Sequence, residues 1–195
     1  MNNKKYIYLS ADKVVNIKQG YYDEILNIKN LINDSERQSS ILRSSLIDID
    51  EELKYIKIAI KNTIFLIKKL DNSIDLEEDA ANSLEKRFNS NSHTSNNDIS
   101  ALRHKITELE KMKNNLIMLE ARFKALINRK KELLSNKRNA KKNIKTIDKN
   151  LKVYKRNMAS LHFSLIMIDD ASINSNGYVK EKSIKPKLKQ IKKIK

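Results

Sequence analysis

Three histidines, His93, His104 and His162, are the side chains of this 195-residue chain best suited to ligate a metal or carry a proton near neutral pH. Their spacing suits neither role, because they stand far apart and none has a carboxylate or a second histidine at metal-ligand helical spacing except by chance. Cysteine is absent, which removes thiolate zinc sites and disulfide frameworks. The acidic run Glu77-Glu78-Asp79 reads as a charged face near a turn, and neither a Gly-rich phosphate cradle nor a GxSxG elbow occurs. The expectation is a protein that is not an enzyme and holds no metal and no cofactor.

The chemistry that remains is that of binding. Between Arg129 and Arg156 twelve Lys or Arg face only Glu132 and Asp148. The densest part, Arg129, Lys130, Lys131, Lys137, Arg138, Lys141, Lys142 and Lys145, is a candidate electrostatic interface. A phosphate backbone would bind such a stripe with a steep salt dependence, and an acidic protein surface would serve equally well. Only Tyr154 offers a stacking aromatic there, and no DNA-binding motif contains the stripe. The second set is Tyr55, Ile58 and Phe65, which fall on one helical face and point away from the apolar seam described next. Three aligned apolar residues on an outer face predict a protein contact, either with a distinct partner or through self-association.

The elements that must position these residues are written in heptads. From Leu102 to Ile168 the pattern holds one register, with Leu102, Leu109, Leu116, Phe123, Lys130, Lys137, Ile144, Leu151, Met158 and Leu165 at one seam position. Its companion series runs Lys105, Met112, Leu119, Leu126, Leu133, Ala140, Ile147, Tyr154, Leu161, Ile168. A 3.5-residue spacing sustained this long makes a stripe that another helix must cover. An earlier run has Ile25 to Phe88 as its first series, apolar at nine of ten, and Ile28 to Leu84 as its second, apolar at six of nine. The polar stretch Asn89 to Asn97 separates the two runs, and Asp98 is placed to cap the second.

Two heptad helices of similar length around a short loop predict an all-α fold, a long antiparallel two-helix coiled-coil hairpin of about 100 Å at ~1.5 Å rise per residue. Charge supports the pairing: residues 21–88 carry net −4 and residues 99–168 net +13. With paired residue numbers summing to roughly 188, Lys137 falls opposite Glu51 and Glu77 opposite Lys111, while Lys130 meets Ile58 and finds no mate. The expected organisation is a lead-in over 1–20 with a short helix capped by Ser10 and interrupted at Gly20, and a hairpin over 21–168 with helices 21–88 and 99–168. A loop and a flexible, disordered, Lys-rich tail follow over 169–195. Ile184, Leu188, Ile191 and Ile194 make a weak stripe by which that tail would fold on contact with something.

Composition sets the outer bounds. Two Gly, one Pro and no Trp suit long helices, and 33% charged with 39% apolar residues suits a helix covered on one stripe. The net charge of +16 comes with 32 Lys against 8 Arg, 26 Ile and 23 Asn, a bias of AT-rich codons, so global charge by itself argues weakly for nucleic acid. The longest apolar run, Thr63–Ile67, is far too short for a membrane span, and Asp12 and Lys13 end the apolar start too early for a signal peptide. A cytoplasmic protein is expected.

The stretches Leu46-Ile47-Asp48-Ile49-Asp50-Glu51-Glu52-Leu53, Ile106-Thr107-Glu108-Leu109-Glu110-Lys111 and Arg129-Lys130-Lys131-Glu132-Leu133 lie within a basic, cysteine-free helical hairpin. In architecture and charge, residues 21–168 resemble the central stalk proteins of type III secretion and flagellar export machines. The resemblance implies a non-enzymatic stalk or escort whose partner is the ring ATPase or another export component. That family offers no short motif to match, so no functional residue is carried over. The longer helices, the polar loop and the Lys-rich tail depart from its pattern. The alternative function is a nucleic-acid-associated structural protein using Arg129–Arg156 and the tail.

Overall fold

A computed structural model describes residues 6–90, 96–174, 178–180 and 184–190. It is almost entirely helical. Strand β1 (Tyr6–Tyr8) leads into α1 (Ala11–Ser90), α2 (Asn96–Asn174) follows, and β2 (Tyr178–Lys180) closes the order. The two long helices pack together as a helical hairpin, and the chain divides into two compact units: residues 1–47 with 138–195, and residues 48–137.

The heptad pattern explains which faces are covered. On α1 every seam position from Ile25 to Phe88 is buried or half-buried, including Ser35, Ser39 and Thr63. On α2 the same holds from Leu102 to Ile168, with Lys130 the single exposed exception. Polar seam residues are tolerated because they find partners: the Thr63 hydroxyl donates to the Ala59 carbonyl at 2.8 Å, and the Arg43 Nε donates to Ser39 Oγ at 3.3 Å. Among the described residues no buried side-chain nitrogen or oxygen lacks a hydrogen bond.

In the unit formed by 48–137, Ile56, Ile74, Leu109 and Leu133 are the buried apolar residues. Its cross-helix ion pairs are Asp50–Lys137, Glu52–Arg129 at 2.8 Å, Glu78–Lys113 at 2.6 Å and Glu77–Lys105 at 2.6 Å. Partner numbers fall along α2 as they rise along α1. Two expected pairings shift: Lys137 pairs with Asp50 rather than Glu51, and Glu77 with Lys105 rather than Lys111. Both Glu77 and Lys105 interrupt the seam, so each satisfies the other where an apolar neighbour would leave it unpaired.

The unit formed by 1–47 and 138–195 has two buried clusters. Ile25, Ile28, Tyr154, Leu161 and Leu165 make one, and Leu9, Ile168, Ala171 and Ile184 the other. Lys18–Asp169, Glu36–Lys155 and Arg43–Asp148 pair across its helices. Here the structure corrects four boundaries. First, α1 runs unbroken through Gly20, because an exposed glycine inside a helix costs only about 1 kcal/mol against alanine. Second, α2 continues past Asp169-Asp170 to Asn174: Asp169 is held by Lys18, and Ala171 is buried. Third, α2 begins at Asn96, which places Asp98 inside the first turn, where its charge complements the helix dipole.

Fourth, the segment expected to be a free tail is partly docked. β2 pairs antiparallel with β1 in the register Tyr6↔Lys180, Ile7↔Val179, Tyr8↔Tyr178. The Tyr8 and Tyr178 rings meet edge to face with centroids 5.4 Å apart. Ile184 is buried, whereas Leu188 is half open; Ile191 and Ile194 lie outside the described residues. Ser10 immediately precedes α1, and its carbonyl accepts from the Val14 N–H at 2.9 Å, as a capping residue's does.

Candidate functional site

The outer strip on α1 is open. Tyr55 is 72% exposed, Ile58 57% and Phe65 67%. They occupy heptad positions opposite the seam, so helix geometry turns them outward, away from the stripe that α2 covers. Leu76, three heptads beyond Tyr55 and just as exposed, extends the face beyond the three residues the sequence singles out. Beside it runs an open groove of about 440 Å³ lined by Leu66, Lys69, Leu70, Ser73, Asn115, Met118 and Leu119. A two-helix hairpin is expected to have no pocket, and this one is no enclosed cavity. It is a trough left where α1 presents Leu66 and Ser73, and α2 Asn115, at flanking positions that do not close over the seam.

The basic candidates separate by partner. In the unit of 48–137, Arg129 donates to Glu52 at 2.8 Å and 3.2 Å and to Glu132 at 2.9 Å. The Glu52 hydrogen bond, then that of Glu132, raises the guanidinium pKa above its ordinary value, so Arg129 stays charged at any working pH. Lys137 is half-buried against Asp50. These two cations serve the hairpin's own pairing. Lys130 and Lys131 are exposed and make no ion pair among the described residues. In the other unit Arg138, Lys141, Lys142 and Lys145 are likewise exposed and without an ion pair among the described residues.

The histidines assemble nothing. His104 Nδ1 lies 3.6 Å from Glu108 Oε2 with both side chains largely in water, His162 is exposed, and His93 lies outside the described residues. Among the described residues no group of three or more His, Asp or Glu stands close enough to share a metal ion. No helix among them is long and apolar enough to cross a membrane.

One polar stripe is not anticipated by the two seam series. Asn143, Asn150, Asn157, Ser164 and Ala171 recur every seven residues beside the seam of α2; Asn143 is half-buried and the other four are buried. Asn157 receives the C-terminal segment: its Nδ2 donates to the Lys189 carbonyl at 3.1 Å and its Oδ1 accepts from the Lys189 N–H at 2.8 Å. The Lys187 N–H donates to Ser160 Oγ at 2.8 Å, and the Tyr21 hydroxyl donates to the Ile184 carbonyl. Burial first, then the Glu24 charge, raises the Tyr21 pKa, against a smaller lowering by Lys185. The signal for this stripe is present in the sequence as a third heptad series, which small polar residues disguise.

Compared with protein families, curated proteins and solved structures, the chain matches none.

Proposed function

We propose that this protein is a non-enzymatic helical scaffold, an antiparallel coiled-coil hairpin that binds protein partners along its outer faces. One observation carries the reading: the interior heptad positions are consumed by the hairpin itself, while Tyr55, Ile58 and Phe65 remain open on the far side of α1. The antiparallel coiled coil is supported by the sheltered seam and by ion-pair partners whose numbers fall on α2 as they rise on α1. The specific form of the proposal is a cytoplasmic stalk or escort of a type III secretion or flagellar export ATPase, which rests on the resemblance in architecture and charge. In that role the uncommitted cations of α2 meet an acidic partner surface and the strip docks something apolar.

A purified export ATPase ring, immobilised and titrated with the chain, tests this form. Saturable binding weakened by Phe65→Ser and by Lys141→Glu with Lys142→Glu is the expected result, and no binding at moderate salt removes it. The exposed cations Arg138, Lys141, Lys142 and Lys145, which make no ion pair among the described residues, favour a second reading, a nucleic-acid-associated scaffold. Tight binding to duplex DNA that falls steeply with salt would establish that reading instead.

A further inference from the structure

We propose that the outer face of α1 from Lys54 to Leu76, with the adjoining trough, is the docking site for an amphipathic helix of a partner protein whose apolar stripe is edged by carboxylates. The inference deepens the scaffold reading and rests on it, and it lies wholly within the unit of 48–137. Three features meet there. The exposed apolar side chains Tyr55, Ile58, Phe65 and Leu76 recur at helical spacing along three heptads, a span of about 30 Å at ~1.5 Å per residue, and a helix of some twenty residues matches it. Beside them Leu66 borders both this face and the trough, whose far wall is Met118, itself highly exposed. A concave apolar slot between two helices receives the knobs of a third helix, as ridges enter grooves.

Charge selects the partner. Residues 53–70 hold five lysines and no acid, inside a helix run that is otherwise acidic; Asp71 and Asp75 follow on the same flank toward Leu76, so the cationic edge spans Lys54 to Lys69. Lys54, Lys57, Lys61 and Lys68 are exposed along one flank of the strip and make no ion pair among the described residues. A docked helix with Glu or Asp along its edge would satisfy them and gain specificity and association rate. A second copy of this chain docked strip to strip would bring lysines against lysines. A membrane would meet a trough that a flat surface does not fill.

The probe is a synthetic, fluorescently labelled helix of three heptads with Leu at a and d and Glu at e and g, titrated into the full chain. Expected is saturable binding that drops about tenfold or more with Phe65→Ser, an anchor-residue effect. It should also drop and lose its salt dependence with Lys57→Glu plus Lys61→Glu, and hold steady with Lys141→Glu plus Lys142→Glu. All these variants should melt as the parent does. Equal affinity for the Phe65→Ser variant, or loss with the Lys141 and Lys142 pair alone, overturns the proposal. So does capture by phosphatidylglycerol vesicles without the probe, or a dimer in light scattering that Phe65→Ser dissolves. If the hairpin itself were wrong, Leu116→Asp would leave the melt unchanged. Failure of docking alone leaves that variant destabilised, so the two failures are distinguishable.

Discussion

The side-chain amide of Asn157 meets the backbone of Lys189 twice, donating to its carbonyl and accepting from its N–H, much as the peptide of a neighbouring strand would. Replacing it in Asn157→Leu keeps the branching of the side chain and leaves two partly buried backbone groups unmatched, at a cost of about 1–3 kcal/mol. The expected outcome is a lower melting temperature and faster amide exchange over 184–190, with exchange in 48–137 unchanged. Tyr21 makes the same contact sensitive to pH. Its phenol pKa is raised above the ordinary 10.0, so the folded state holds the proton more tightly than the unfolded chain. The contribution is therefore full below pH 10 and declines as pH rises above it. Tyr21→Phe should lower stability at neutral pH by about 0.5–1.5 kcal/mol, the usual net worth of one hydrogen bond, and flatten the alkaline decline. Thermal melts at neutral pH and above pH 10 check both. None of these contacts is legible in a seam-based reading, because Asn157 and Ser160 resemble solvated helix residues until a second segment is known to lie against them.

At the scale of elements, the seam outweighs the ion pairs. A buried Leu or Ile contributes about 1.5–3 kcal/mol, whereas an exposed ion pair contributes about 0–1 kcal/mol. The side chains of the cross-helix pairs are about a quarter to three-fifths in water, so the pairs refine a register that the apolar series sets. Leu53→Asp or Leu116→Asp should lower the melting temperature sharply, by about 2 kcal/mol or more of stability, because each forces a carboxylate into the covered stripe. A circular-dichroism melt matching the parent would contradict the seam assignment. Gly20 gives the opposite test. It lies within α1, and apart from the adjoining backbone of its own helix a Cβ added there would meet nothing within 4 Å, so Gly20→Ala should stabilise by about 0.5–1 kcal/mol. The heptads made both long helices readable from sequence, with α1 starting ten residues earlier and α2 ending six residues later than the heptad runs indicate. Their ends moved because Gly20 and Asp169-Asp170 are weak breakers against a helix already held by its neighbours.

At the scale of the whole molecule, the chain's described ends are tied together. β1 pairs with β2, and Leu9 shares a cluster with Ile168, Ala171 and Ile184. A chain ended at residue 177 should lose amide protection in 11–47 and 138–174 while 48–137 keeps its own, since Tyr21, Asn157 and Ser160, which hold 184–190 by hydrogen bonds, all belong to the first of these units. Uniform protection in the shortened chain would mean the clasp holds nothing. Periodicity and charge in the sequence determined that two long helices form, which stripe each covers, and that Tyr55, Ile58 and Phe65 stay outside it; these are properties of spacing along one chain. Only the tertiary structure decided that Lys105 answers Glu77, that Arg129 and Lys137 are taken by Glu52 and Asp50, and that Asn157 and Ser160 receive the C-terminal segment. Those outcomes depend on which distant groups arrive within hydrogen-bonding distance, and side-chain reach across two packed surfaces is not encoded in the repeat.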